Sequence, residues 1–152
     1  ILIGSFLIIT KINKIYLNDY VELRVENIIY AGDTAVILLS KDCYQLEFYT
    51  SKDQGNAIEI GIKNIETQRP LTHDVIISIM KSFSIRPRLL RIDNLINETY
   101  YATLVLDGFF GSKEIDIRPS DGIAIAVRAK IPIYAKKSLV KNICGIETFS
   151  LY

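Results

Sequence analysis

The chain contains a single histidine, two cysteines and no tryptophan among its 152 residues. One histidine excludes acid–base catalysis by a histidine pair within one subunit, and it excludes a multi-histidine metal site built from one chain. Two cysteines, Cys43 and Cys144, cannot form a disulfide framework or a zinc knot, so we expect both to be small core or turn residues. No apolar run is long enough to cross a bilayer, and the first residues lack a signal-peptide pattern. We therefore expect a cytoplasmic protein without membrane contact.

The remaining composition is that of a globular protein. Apolar residues make up 49% of the chain, charged residues make up 23%, and the net charge is +1. This balance and length predict one domain over residues 1–152. Basic residues outnumber acidic ones between Lys81 and Lys141. A basic half can attract phosphate, although an ordinary mixed surface explains the same distribution.

An internal repeat occurs at a spacing of 67 residues. The segment that starts at Leu23 reads LRVENII, and the segment that starts at Leu90 reads LRIDNLI. The ungapped match continues as far as Ile58 and Ile125. Such self-similarity indicates a duplicated unit. We predict a first repeat over residues 20–86, a second over residues 87–152, and an N-terminal extension over residues 1–19 that adds an edge strand.

Hydrophobic periodicity predicts an α+β fold in which each unit contributes three strands and then a helix. Residues that alternate between apolar and polar indicate strands, and apolar residues at helical spacing indicate helices. Strand runs followed by helices favour largely antiparallel sheets with helices packed on them. The predicted strands are 20–29, 34–40, 44–50, 88–96, 100–106, 114–118 and 133–135, and the predicted helices are 54–63, 72–83, 121–130 and 137–143.

The first candidate site lies at the start of the predicted helix 72–83. Thr72 is the predicted N-cap, and Asp74 in the first turn complements the helix dipole. His73 lies between them. It is either an exposed or locally bonded first-turn residue or a group that transfers a proton, because histidine titrates near neutral pH.

The second candidate site follows the strand that ends at Arg118. Pro119 blocks continuation of the strand, and Ser120 is the predicted N-cap of the next helix. Free amides at a helix start bind phosphate, and a neighbouring arginine adds a bidentate partner. Alternatively, Arg118 pairs with Asp121 in a capped turn that has no ligand.

Two weaker candidates involve carboxylates and aromatic rings. Carboxylates form a metal site where several converge, and the sequence offers Glu47, Asp74, Glu114 and Asp121. The pairs Tyr100–Tyr101 and Phe109–Phe110 could stack nucleic-acid bases, but aromatic residues in strands and turns more often pack in the core.

Several ordered blocks of the chain resemble the bifunctional nuclease family. They are Pro70–Asp74, Tyr101–Leu104, Arg118–Arg128 and Pro132–Tyr134, and the likeness covers roughly residues 22–140. The resemblance implies hydrolysis of phosphodiester bonds in RNA and DNA. We expect the chain to be a prokaryotic, archaeal member of the family. The chain departs from the family pattern in its first unit, where Asp53 and Gln54 open a helix that usually starts with a Glu-Ala pair. It also has Gly122 where the family usually has alanine.

Two functional hypotheses follow. In the first, the protein is a nuclease of low sequence specificity, in which Arg118, Ser120 and Thr72 hold phosphate. His73, Asp74, Arg118 and Asp121 would then be catalytic, and the two aspartates could hold magnesium or manganese. In the second hypothesis, the protein is a non-catalytic nucleic-acid-binding or assembly module. Exposed strand edges also predict a homo-oligomer, most simply a dimer.

Overall fold

The computed structural model describes residues 17–145. Within this range runs of strands are followed by helices, as in an α+β protein. The strands are β1 (Tyr20–Ala31), β2 (Thr34–Lys41), β3 (Tyr44–Ser51), β4 (Arg86–Ile96), β5 (Thr99–Gly108), β6 (Gly111–Ile117), β7 (Ile133–Lys136) and β8 (Lys141–Asn142). The helices are α1 (Lys52–Lys63), α2 (Thr72–Ser82) and α3 (Pro119–Ala129), with a short 3₁₀ turn at Lys137–Leu139. The α+β prediction is confirmed.

All eight strands belong to one sheet with the order β6-β5-β4-β7-β1-β2-β3-β8. Every neighbouring pair is antiparallel except β4 and β7, which are parallel. The short strand β7 joins the two halves, because Ile133 pairs with Leu23 on one side and with Leu90 on the other. Strand β3, which precedes α1, and strand β6, which precedes α3, therefore belong to the same sheet.

Helix α3 is the most buried helix, and it contacts both α1 and α2. Its residues from Ile123 to Ala126 are at most 1% exposed. Gly122 allows α3 to approach the sheet closely, because a Cβ at this position would lie 2.5 Å from Leu90 Cδ1. The small residues thus let α3 pack against strand β4, which holds the start of α3 in a fixed position.

The chain after β7 differs from the sequence prediction. A helix was expected over residues 137–143, but the chain makes only one 3₁₀ turn and then pairs with β3 as strand β8. Cys43 and Cys144 both lie at turns, as one of the two expected placements has it, but they also form a disulfide with each other, which the sequence did not predict. This bond ties the turn between β2 and β3 to the segment that follows β8. The predicted edge strand in residues 1–19 lies almost entirely outside the described residues.

The two predicted repeats begin with the same element order but differ in strand register. Both contain three strands and a helix, and a β-bulge follows Val25 in β1 and its repeat-equivalent Ile92 in β4. Val25 pairs with Leu39, whereas Ile92 pairs with Ala102 rather than with the repeat-equivalent Leu106. The first hairpin is therefore built on a different register from the second. That the two units superpose by one rotation stays a prediction.

Candidate active site

The starts of all three helices meet at one cleft of about 380 Å³. Gln54 comes from α1, Thr72 and His73 come from α2, and Arg118 and Asp121 come from the start of α3. Apolar side chains of Ile76, Ile117 and Ile125 complete the lining. Helix N-termini carry unpaired amides and a partial positive charge, so their convergence favours an anion. We call this space the His73 cleft.

His73, Asp121 and Arg118 form a continuous chain of hydrogen bonds in this cleft. His73 Nε2 lies 3.1 Å from Asp121 Oδ1, and Arg118 Nε donates to Asp121 Oδ2 at 2.6 Å. His73 is 7% exposed, so it is a bonded first-turn residue and not an exposed one. The Arg118 side chain is 73% exposed. The structure therefore joins the two sequence-predicted segments through Asp121.

The charge of Asp121 fixes how the histidine is protonated. Burial raises the pKa of Asp121. The hydrogen bonds from Arg118 and His73 together lower this pKa by more than burial raises it, so it lies below its usual range. An ionised carboxylate only accepts hydrogen bonds, so Nε2 of His73 carries the hydrogen that Asp121 receives. In neutral His73 the other nitrogen, Nδ1, is then an acceptor. Across residues 17–145 no hydrogen bond to Nδ1 is found.

Arg118 holds Asp121 with one edge of its guanidinium and keeps the other nitrogens available. In the described part of the chain, its hydrogen bond to a protein group is made by Nε alone. The terminal nitrogens of an exposed arginine can bind phosphate in bidentate fashion. The pairing of Arg118 with Asp121 is thus compatible with a ligand, although the sequence posed the two as alternatives.

Asp74 takes part in a second set of interactions, which connects the helices. Its Oδ1 accepts a hydrogen bond of 2.6 Å from Arg128 Nε, and its Oδ2 accepts one of 2.9 Å from the Leu71 amide. Burial raises the pKa of Asp74. The hydrogen bonds from Arg128 and the Leu71 amide together lower this pKa by more than burial raises it, so it lies below its usual range. Arg128 Nη1 also donates to the carbonyls of Ala57 and Ala124. The Asp74 carboxylate therefore joins α2 to α3, and Arg128 extends the connection to α1.

The predicted N-caps are wrong. Leu71 is the N-cap of α2, and Thr72 is already the first helical residue. Arg118 is the N-cap of α3, Pro119 occupies its first turn, and Ser120 is 6% exposed within the helix. Proline favours the first helical position because its missing N–H needs no partner there, which moves the start of α3 two residues earlier than the serine suggests.

The carboxylates proposed for a metal do not form a common site. Asp74 binds Arg128 and Asp121 binds Arg118, while Glu47 lies 3.9 Å from Lys141 and Glu114 lies 3.1 Å from Arg91. Among the described residues, no group of three His, Cys, Asp or Glu side chains could hold a metal ion. Two aspartates already neutralised by arginines are poor ligands for Mg²⁺ or Mn²⁺, so the residues present do not fit such an ion.

Sequence reasoning missed Gln54 and Arg128. Gln54 Oε1 and Arg128 Nη2 are buried and have no hydrogen-bond partner in the part of the chain that the structure describes. Other atoms of Gln54 line the His73 cleft. Its position at the start of α1, opposite two other helix starts, was the available signal.

A protein-family model matches most of the chain. The model of the bifunctional nuclease domain matches residues 36–146, which includes all the side chains of the His73 cleft. The chain belongs to the bifunctional nuclease domain family. The resemblance expected from the sequence blocks is thus confirmed, and the helix starts that form the cleft lie inside the family's own domain.

Relatives in this family come from bacteria and plants. Bifunctional nuclease 2 of Arabidopsis thaliana is 34% identical over 115 residues, which are 72% of this chain and 35% of that protein. Bifunctional nuclease 1 of the same plant is 37% identical over 82 residues, which are 52% and 25% of the two chains. A protein of Mycobacterium tuberculosis is 32% identical over 95 residues, which are 62% and 56%. The chain spans about half the length of this mycobacterial relative, and these relatives give no support to an archaeal source.

Proposed function

We propose that the protein is a nuclease that hydrolyses phosphodiester bonds of RNA and DNA with low sequence specificity in the His73 cleft. The observation that carries this proposal is the chain of hydrogen bonds from His73 through Asp121 to Arg118. It combines a proton acceptor, a group that orients it and an exposed cation within one cleft. The names of the plant relatives, bifunctional nucleases, support the same reaction.

Each residue of the chain has a separate task in this reaction. Arg118 binds the phosphate and stabilises the charge that develops on its oxygens in the transition state. Asp121 orients the ring of His73 and stabilises its protonated form, so that Nδ1 can take a proton from the attacking water. The water oxygen forms a bond to phosphorus as the bond from phosphorus to one bridging oxygen breaks. The departing oxygen then receives the proton that His73 took from the water. The helix starts add amides that favour the anion.

Asp74 and Asp121 are both bound to arginines, which supports a reaction in which His73, Asp121 and Arg118 act without a divalent cation. We expect purified protein to cleave labelled single-stranded RNA and DNA in EDTA at a rate similar to that with Mg²⁺. Activity that EDTA abolishes and Mg²⁺ restores would contradict this part of the mechanism.

The variant that tests the site is His73→Gln, because glutamine can still bond to Asp121 but is not a base near neutral pH. We expect its cleavage rate to fall at least about 100-fold, the usual contribution of a general base. Its melting temperature should stay near that of the wild type. A variant that cleaves at the wild-type rate would exclude His73 from the chemistry. Wild-type protein that binds but cleaves neither polymer would favour the binding module.

A further inference from the structure

A second cleft, of about 480 Å³, adjoins the His73 cleft and shares Arg118 with it. It lies between β3 and the hairpin formed by β4 and β5, and it ends at Pro119 and Ser120. We call it the Tyr100 cleft. Because Arg118 lines both clefts, a phosphate on its guanidinium would have the Tyr100 cleft beside it, open to the neighbouring part of the same nucleotide chain.

Three aromatic residues line the Tyr100 cleft. Phe48 and Tyr100 come from different halves of the chain, and their ring centroids are 6.0 Å apart. Phe48 is buried, Tyr100 is half-buried, and Tyr49 at the edge is 73% exposed. Leu95 of the hairpin adds an apolar surface that is 46% exposed. Aromatic side chains of this kind stack on nucleic-acid bases in single-stranded binding sites.

The charges of the Tyr100 cleft favour a base over a phosphate. Glu47 and Glu98 both line it, and carboxylates repel the nucleic-acid backbone. Carboxylates do accept hydrogen bonds from the amino groups of bases. The two clefts thus differ in their lining: Arg118 belongs to both, whereas Glu47, Glu98 and the aromatic residues line the Tyr100 cleft alone.

We propose that the Tyr100 cleft is a nucleobase subsite, which takes one unpaired base of a single-stranded nucleic acid beside the phosphate on Arg118. This inference rests on the proposed function, because it uses Arg118 as the phosphate ligand. A base in a duplex is stacked and paired, so it enters the cleft only after it has been flipped out. The substrate class is thus single-stranded RNA or DNA.

Binding of two labelled octamers tests the subsite, one of deoxyadenosine and one made entirely of stable abasic residues, which carry the same charge. Fluorescence anisotropy with wild-type protein should give about tenfold or greater preference for the base-containing octamer, as stacking of one base requires. Tyr100→Leu should remove most of this preference, whereas Tyr100→Phe, which keeps the ring, should retain it. Tyr49→Ala at the exposed edge should lower the preference even if Tyr100→Leu does not fold.

Equal affinity of the wild type for both octamers would overturn the subsite, as would a preference that neither Tyr100→Leu nor Tyr49→Ala changes. Cleavage of the same octamers distinguishes this failure from failure of the proposed function. A protein that prefers the base-containing octamer but cleaves nothing has the subsite and is not a nuclease. A protein that binds and cleaves both octamers equally well is a nuclease without the subsite.

Discussion

Asp74→Ala removes the carboxylate that neutralises the most buried cation at the helix junction. The Arg128 side chain is 7% exposed and reaches the carbonyls of Ala57 and Ala124 as well as Asp74. The variant leaves these carbonyl bonds in place but leaves the guanidinium without a negative partner. It also removes the acceptor for the Leu71 amide at the start of α2.

The expected loss is about 3 kcal/mol in the free energy of unfolding. Removal of one partner from a buried ion pair costs about 3–5 kcal/mol, because the other charge stays buried. The Asp74 side chain is 36% exposed, so water can partly replace it, and we take the lower end of that range. With a urea m-value of about 2 kcal/mol/M, the unfolding midpoint falls by about 1.5 M.

Urea unfolding followed by far-UV circular dichroism measures this loss. Asp53→Ala is the matched control, because Asp53 is also in the first turn of a helix and is exposed. We expect the control to stay within about 0.5 kcal/mol of the wild type. Equal stability of the two variants would refute the reasoning. Cleavage per folded molecule should be retained in Asp74→Ala, since Asp74 joins α2 to α3 and does not line the His73 cleft.

Three further predictions concern stability. Ser51 is the N-cap of α1 and accepts from the Gln54 amide, so Ser51→Ala should cost about 1 kcal/mol in urea unfolding, whereas Thr72→Ala and Ser120→Ala should each cost less than about 0.5 kcal/mol. The disulfide between Cys43 and Cys144 closes a loop of 101 residues, so reduction should cost about 3–5 kcal/mol, and calorimetry should show no effect of reductant on Cys43→Ser. The pKa of Asp121 is lowered in the folded state, so the ionised carboxylate contributes its full stabilisation above about pH 4, and this is lost as the pH falls through the folded-state pKa. The wild type should therefore lose more stability than Asp121→Asn between pH 5 and about pH 2. An equal loss in both would show that Asp121 is not held as an anion.

The elements with strong periodicity were predictable from the sequence. Residues 72–83 were predicted as a helix, and α2 occupies Thr72–Ser82. Residues 34–40 were predicted as a strand, and β2 occupies Thr34–Lys41. The segment 137–143 was predicted as a helix but pairs with β3, because a partner from another part of the chain decides its conformation. Local pattern carries no information about that partner.

The candidate site was predictable in its residue types but not in its connections. Polar residues at two helix starts identified His73 and Arg118, and only the fold shows that Asp121 bonds to both. Arg128 is in the last turn of α3, where a basic residue usually lies on the surface, so nothing local indicates its burial against Asp74. The disulfide is equally hidden, since cysteine spacing does not give the distance between the residues in space.

The most direct test of the proposed active site is the cleavage rate of Arg118→Lys on single-stranded RNA and DNA. Lysine keeps the positive charge but loses the planar guanidinium that can bind Asp121 and phosphate together. We expect the rate to fall about 100-fold on both polymers while the melting temperature stays near that of the wild type. Arg24→Lys is the control, because Arg24 is exposed on β1, and it should cleave at the wild-type rate. Wild-type cleavage by Arg118→Lys, or a loss explained by a lower melting temperature, would contradict the account.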